Sequence, residues 1–487
     1  MNLAKSKRTL VGIALSALSA VLFSLAFPPY HLWPLIFLGL VPMIIAQHRV
    51  MPAKLSGLAY GIGVGGFFGL YFRGMFSGIW FMRVLPLFIG LFSALATWRE
   101  RRFHHRTAYR WFLLQGPALW VGIEFLRGIV PVIGTWGFAA YALYDQPWLI
   151  QPVSTMSIYG LSFLILMVNY ALGLIALKLF DHFTQHDEDF NLCWPRVGRT
   201  ASLAALCSLL WISISGLIYQ SPQVPDNQFV KVAAIHPAFK VESDEGVQKL
   251  IALTQQAASE GAKLIVWHEG ALPFDPRQSH AQTLKSLASE TGSHLVIGYA
   301  YEVARGYRNE AVILTPQGDF LGPYGKAHPV AWSGETSVTS GPYQAYATAL
   351  GRLGMIICYD LDFTDSARQV ARAGAQLIAV PSFDWRNIAS KHYTHLVFRA
   401  VENRIALVKA DIGFDSALID PYGRIIERTI TPRPKTDMLI SEIPLGSGDT
   451  SVTRLGDWFG WLALAGTAAF FAFDLLTALW QTGRNRL

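Results

Sequence analysis

A chain of 487 residues in which 52% are hydrophobic and only 15% charged, with a mean hydropathy of +0.32, is too apolar for an ordinary soluble or disordered protein. It has room for several membrane spans and one soluble domain. The net charge of +7 does not indicate nucleic acid, because most of the excess lies in short loops between apolar runs and the polar stretch 220–455 is close to balanced.

Apolar stretches able to cross a bilayer, which takes about 20 helical residues, fall near 9–27, 32–47, 55–72, 80–98, 111–129, 153–179, 201–219 and 457–479. The second begins after Phe27-Pro-Pro-Tyr30, so its boundaries are the least defined. Short loops on one side carry Lys5, Lys7, Arg8, Arg49, Lys54, Arg99, Arg101, Arg102, Arg106, Arg110, Lys178, Arg196, Arg199, Arg484 and Arg486, against only Arg73, Arg83 and Arg127 on the other. The positive-inside rule makes the rich side cytoplasmic. Residues 1–219 then form a seven-span membrane domain, 220–455 lie outside the cytoplasm, and 456–487 are a final span and cytoplasmic tail. The first span can be read as a signal peptide, but it lacks an A-x-A-like site and is needed for the charge pattern, so it is kept as an anchor.

From residue 229 the pattern changes to short β-branched runs alternating with amphipathic stretches. Strands are expected at 229–236, 263–268, 294–300, 309–314, 376–381, 405–410 and 415–419, with another running into Cys358. Helices are expected at 245–260, 364–373 and 389–403, which makes an α/β layered domain. Linkers are expected at 220–228 and 445–455.

Three reactive residues fall at strand ends or in loops of this segment: Glu269 in Leu264-Ile-Val-Trp-His-Glu-Gly270, Lys326 in Gly325-Lys-Ala-His-Pro329, and Cys358 in Leu353-Gly-Met-Ile-Ile-Cys-Tyr-Asp360. An acid, an amine and a thiol are the parts needed to activate a sulfur nucleophile and stabilise an acyl intermediate. Cys193 falls in a cytoplasmic loop and Cys207 in a span, so Cys358 has no disulfide partner in its own compartment. Taken singly, each has an ordinary alternative: a solvated loop acid, a surface lysine, a small buried core residue. His392 and His395 show neither a third ligand nor an H-E-x-x-H arrangement, and His104-His105 lies among arginines. No metal and no cofactor are therefore expected.

The segment 229–443 resembles the carbon-nitrogen hydrolase (nitrilase) superfamily, which implies an αββα sandwich with a Glu-Lys-Cys triad. Its setting between seven spans and one more resembles the apolipoprotein N-acyltransferases. The likeness also rests on Phe27-Pro-Pro-Tyr-His-Leu-Trp-Pro34, Ala118-Leu-Trp-Val-Gly-Ile-Glu-Phe-Leu-Arg127, Cys358-Tyr359 and Phe398-Arg-Ala-Val-Glu-Asn-Arg404. The fold expected is thus a nitrilase-like α/β sandwich on an eight-helix transmembrane bundle in a bacterial inner membrane, with the catalytic domain periplasmic.

The resemblance implies that Cys358 takes an acyl chain from a phospholipid, phosphatidylethanolamine in the family, and passes it to the α-amine of a diacylglyceryl-cysteine on an apolipoprotein. Glu269 is then the general base. Lys326 and a backbone N–H near Tyr359 stabilise the oxyanion, and Glu335 supports the lysine. The chain departs from the family's pattern near the thiol. Ala331-Trp-Ser-Gly-Glu335 stands for a Pro-Phe-Gly-Glu ending and is one residue longer, Asp360 replaces a Glu after Cys-Tyr, and Ser382-Phe-Asp-Trp-Arg-Asn387 replaces an Asn-Asp-Ala-Trp-Phe-Gly string. A membrane-tethered amidase, an acyltransferase with another donor or acceptor, and a non-catalytic relative therefore stay open.

Trp332, Phe383 and Trp385 either line an acyl-chain entrance or pack locally. Glu124 and Arg127, three positions apart on one helix, form either a local ion pair or a headgroup or substrate contact. Asp474 is assigned a polar contact between helices.

Overall fold

In the computed structural model, residues 3–76, 79–130, 132–184, 192–220 and 228–484 are described. The linker expected at 220–228 falls mostly, and Arg486 wholly, outside them.

Among the described residues, six helical segments are long and apolar enough to cross a membrane: Lys5–Leu25, Trp33–Val50, Trp80–Arg106, Val153–Thr184, Trp194–Gln220 and Trp458–Ala478. Two further helices stand among them. Gly57–Tyr71 has 15 residues, and Phe112–Ile129 is made less apolar by Gln115, Glu124 and Arg127. The stretch read as a second span at 32–47 is segmented into a 3₁₀ turn Trp33–Phe37, an α-turn Val41–Ile45 and a π-turn Ala46–Val50. Pro34 and Pro42 occupy the first turns of the first two pieces, where a missing N–H is tolerated but a continuous ladder is not.

The first six-stranded sheet contains β1 (Phe229–His236), β2 (Leu264–Val266), β3 (His294–Val303), β4 (Gly306–Leu314) and β5 (Phe320–Gly325). The second contains β6 (Ala345–Thr348), β7 (Gly351–Met355), β8 (Leu377–Pro381), β9 (Ala406–Ala410), β10 (Asp415–Ile419) and β11 (Ile425–Ile430). The last strand, β12 (Asp437–Pro444), returns to the first sheet and pairs antiparallel with β1. The orders are β12-β1-β2-β3-β4-β5 and β11-β10-β9-β8-β7-β6. β1-β2-β3 and β7-β8-β9 run parallel, and the two sheets face one another through β1, β2 and β3 on β8, β9 and β10.

Both faces of these central strands are buried, which is why they read as unbroken apolar runs rather than alternating ones. In β1, Val232 and Ala234 point into the core between the sheets, while Ala233 and Ile235 pack beneath the helix Asp244–Ser259 with Val247, Leu250 and Ile251. Each large side chain buried this way contributes roughly 1.5–3 kcal/mol. On the opposite side the helices Thr364–Arg372 and Arg386–Asn403 cover the second sheet, and Arg386–Asn403 also packs on the membrane helix Val153–Thr184. The result is an αββα sandwich seated on a helical bundle. Residues expected as a linker at 445–455 include a helix, Ser451–Leu455, begun by the Thr450 side chain accepting from the Thr453 N–H.

Candidate active site

The carboxyl ends of parallel strands converge on one side of the sandwich, the usual place for a site in an α/β layer. Glu269 follows β2, and its N–H donates to the Ser382 carbonyl just after β8 at 3.2 Å. A Cβ at Gly298 of β3 would come within 2.3 Å of the His268 carbonyl oxygen, so glycine there lets the turn carrying Glu269 lie against the sheet. Lys326 directly follows β5. Cys358 opens a 3₁₀ turn, Cys358–Asp362, after β7, and its φ of +45° is left-handed for a residue with a side chain. Such backbone costs of order 1–3 kcal/mol and persists where surroundings impose it.

Asp360 is one of those surroundings. Fully buried, it accepts from the Ile357 N–H (3.0 Å) and Tyr324 hydroxyl (2.7 Å) through Oδ2, and from the His328 N–H (2.8 Å) through Oδ1. His328 Nδ1 lies 3.1 Å from Oδ1 as well, and although burial opposes the imidazolium, Asp360 raises the His328 pKa. One carboxylate thus ties the Cys358 turn to the loop that carries Lys326.

The buried Lys326 Nζ lies 2.9 Å from Glu269 Oε1 and 2.9 Å from Glu335 Oε2. Burial alone favours the neutral amine, but Glu269, Cys358 and Glu335 outweigh it and hold the ammonium well above the ordinary lysine range. Asn309 Nδ2 bridges the two glutamates, at 2.5 Å from Glu269 Oε1 and 2.9 Å from Glu335 Oε1. Glu335 also accepts from the Val330 N–H (2.7 Å) and the Tyr307 hydroxyl (3.1 Å). The two acids are pushed apart: burial and Glu335 raise Glu269 against the pull of Lys326, whereas at Glu335 burial is overcome by Lys326 and the donated N–H, and the carboxyl falls below its usual range. Burial, then Glu269, lifts the Cys358 thiol well above the ordinary thiol range, with Lys326 pulling the other way. A protonated thiol, a basic carboxylate and a fixed cation therefore share one electrostatic environment.

Two family patterns match these residues and the helices beneath them: "Apolipoprotein N-acyltransferase N-terminal domain" over 19–171 and "Carbon-nitrogen hydrolase" over 231–450. The chain belongs to the apolipoprotein N-acyltransferase family. The apolipoprotein N-acyltransferase of Geobacter metallireducens is 29% identical, with 94% of each chain covered, and that of Thermosynechococcus vestitus is 24% identical, covering 89% of this chain and 90% of the relative. Among solved structures, an amidase from Nesterenkonia sp. aligns with 49% of this chain and all of its own at 20% identity and a TM-score of 0.40.

Several sequence candidates lie where the αββα sandwich meets the helical bundle. The Tyr359 hydroxyl donates to the Val132 carbonyl at 2.8 Å, and Trp332 Nε1 approaches that hydroxyl at 3.4 Å. The Trp332 ring meets Phe76 edge-on at 5.0 Å and Trp385 at 6.3 Å, and Trp385 Nε1 donates to the Met75 carbonyl at 2.7 Å. Phe383 stands apart from this cluster, 39% exposed beneath Lys240. Glu124 and Arg127 do not pair with one another as a local ion pair would. Glu124 accepts from Trp120 Nε1 and the Ala139 N–H, while Arg127 donates to the Trp136 carbonyl and lies over the Phe68 and Phe138 rings. Both line a cavity of about 430 Å³ within the membrane helices. Asp474 has more than a polar contact, because it pairs with Arg99 and Arg106.

Residue spacing also misses a buried charge network behind the thiol. His392 and His395 do have a third group between them: Asp362 Oδ1 lies 3.3 Å from His392 Nε2 and 2.7 Å from His395 Nδ1. Asp384 lies on the other nitrogen of His392. The two histidines, expected to lack a third ligand, share Asp362, which arrives from the Cys358 turn and cannot be read from helix spacing. Asn309, bridging both glutamates, is equally silent in sequence, standing between Arg308 and Glu310 in β4.

Proposed function

We propose that the chain transfers a fatty acyl group from a phospholipid to the α-amine of a diacylglyceryl-cysteine on an apolipoprotein, through a thioester on Cys358. The observation that carries this reading is the Lys326 ammonium clasped by Glu269 and Glu335 at 2.9 Å each, beside a cysteine held in left-handed backbone after β7 of the facing sheet.

In the first half, Sγ bonds to the ester carbonyl carbon as its proton passes to Glu269, whose burial-raised basicity suits it to capture that proton. Lys326 and the backbone N–H near Tyr359 carry the charge on the tetrahedral oxygen. Collapse breaks the bond to the glyceryl oxygen, which takes the proton from Glu269 and leaves as a lysophospholipid. In the second half the acceptor amine attacks the thioester, gives a proton to Glu269, and the sulfur departs to be reprotonated.

Phosphatidylethanolamine is the proposed donor. An apolar cavity of about 900 Å³ between the helices Gly57–Tyr71 and Trp80–Thr97 supports a lipid donor: it is walled by Gly61, Gly65 and Gly90, carries Arg73 and Arg83, and includes Phe76, which touches Trp332. The loop-charge asymmetry supports a bacterial inner-membrane protein with its catalytic domain in the periplasm, a bundle of seven spans before it and one after.

Mass spectrometry of the full chain in phosphatidylethanolamine vesicles tests the proposal. An acyl-sized adduct on Cys358, absent in Cys358→Ala and discharged by a diacylated lipopeptide, is the expected result. Discharge to water alone would identify a hydrolase instead, and no adduct with any phospholipid would end the reading.

A further inference from the structure

Behind the nucleophile lies a group that the reaction above does not use. Cys358 Sγ is 3.6 Å from Asp384 Oδ1, within hydrogen-bond reach for sulfur, and both residues are buried. Asp384 is held on its other sides by His392 Nδ1 at 2.7 Å, Lys409 Nζ at 2.7 Å, and its own N–H donating to Asp411 Oδ1 at 2.6 Å. His392 continues to Asp362, whose Oδ2 accepts from Trp136 Nε1 at 2.5 Å and whose carbonyl accepts from the Thr135 N–H. An unbroken run of contacts therefore leads from the thiol to a loop of the membrane domain.

We propose that Asp384 is the resting partner of the nucleophile: its Oδ1 accepts a hydrogen bond from the Cys358 thiol, and its charge, pinned by His392 and Lys409, parks the sulfur as a thiol until an acyl ester enters. The proposal rests on the reading of Cys358 as the nucleophile and assigns a division of labour between two carboxylates. Burial pushes Asp384 upward, but His392 and Lys409 outweigh it and hold the carboxyl well below its usual range, so it accepts a hydrogen bond without taking the proton. Glu269, raised by burial, is the group able to take it. A thiolate is the form that reacts with oxidants as well as esters, so a parked thiol protects an enzyme working in an oxidising space.

The charged groups facing Cys358 are Glu269 from β2, Lys326 from β5 and Asp384 from β8. Behind Asp384 stand His392 on its helix, Lys409 on β9, Asp411 after it, and Asp415, which pairs with Lys409 at 2.6 Å. The test is the pH dependence of Cys358 alkylation by iodoacetamide in the full chain in lipid nanodiscs, for the parent, Asp384→Asn and His392→Gln. Removing the anion in Asp384→Asn should lower the alkylation midpoint by about one pH unit or more, roughly a tenfold gain in thiolate near neutral pH. Removing the cation in His392→Gln should move it the other way. Unfolding would expose the sulfur in both variants and drive both to the midpoint of a free cysteine, so opposite signs separate a parked thiol from lost structure.

An unchanged or raised midpoint in Asp384→Asn overturns the proposal, as does a downward shift in both variants. If Asp384→Asn does not accumulate folded, His392→Gln decides: a raised midpoint supports the proposal and any other result rejects it. The acyl adduct on Cys358 tests the nucleophile itself, so failure there is distinguishable from failure here.

Discussion

Replacing Glu335 by glutamine removes one of two anions from Lys326 while leaving Glu269 in place. The two carboxylate oxygens each lie 2.9 Å from the same Nζ, so they are no more than about 5.8 Å apart. At that separation and an effective dielectric of about 20, their repulsion is about 3 kcal/mol. Glu335 raises Glu269, so Glu335→Gln lets Glu269 fall toward or below its ordinary value and makes it a weaker base. The acid limb of thioester formation should move down by one to two pH units. The plateau rate should fall by about tenfold or more, since general-base catalysis weakens with basicity and Lys326 loses an anchor. Single-turnover acylation of Cys358 followed across pH 4 to 9 by mass spectrometry reads both quantities. An acid limb unmoved in a variant that still melts cooperatively would mean that the titrating base does not feel the second glutamate.

Glu269→Gln should reduce Cys358 acylation by about a hundredfold or more while preserving the apparent Tm, with near-parent turnover removing the general-base assignment. Asp360→Ala strands two buried donors, the Ile357 N–H and the Tyr324 hydroxyl, at about 1–3 kcal/mol each, and the part-buried His328 N–H. The apparent Tm should drop by on the order of 10 °C, and acylation should fall as the Cys358 and Lys326 loops separate; a melting curve like the parent's would contradict that role. His392 is pushed up to about 9: burial opposes the charge, but Asp384 and Asp362 outweigh it. A raised folded pKa gives stability that is fully present below about 6.5 and lost as pH rises through 9, here about 3 kcal/mol. Thermal unfolding at pH 6.5 and 9.5 should therefore show a loss in the parent that His392→Gln lacks.

The parts of this molecule readable from sequence are those whose cause is local. The strand Phe229–His236 and the helix Thr364–Arg372 lie where apolar runs and amphipathic spacing put them. Glu269, Lys326 and Cys358 stand out because reactive side chains follow apolar strands. The strand Asp437–Pro444 carries Ser441 and Glu442 amid its apolar positions, and it becomes a strand by pairing with Phe229–His236, some two hundred residues earlier. No local pattern specifies that partner.

The same distinction runs through the site. Lys326 and Glu335 are nine positions apart and suggest a pair, but Asn309 reaches both glutamates only because β4 lies in the sheet between β5, which leads to Glu335, and β3 and β2, which leads to Glu269. Asp384 looks, in sequence, like an isolated departure in a loop after a strand. Its meaning comes from three elements meeting: the Cys358 turn, the helix bearing His392 and the strand bearing Lys409. A buried aspartate is costly unless cations accompany it, so a sequence that places Asp384, His392 and Lys409 in apolar surroundings already requires a charge network. Only the fold assigns the thiol to its edge.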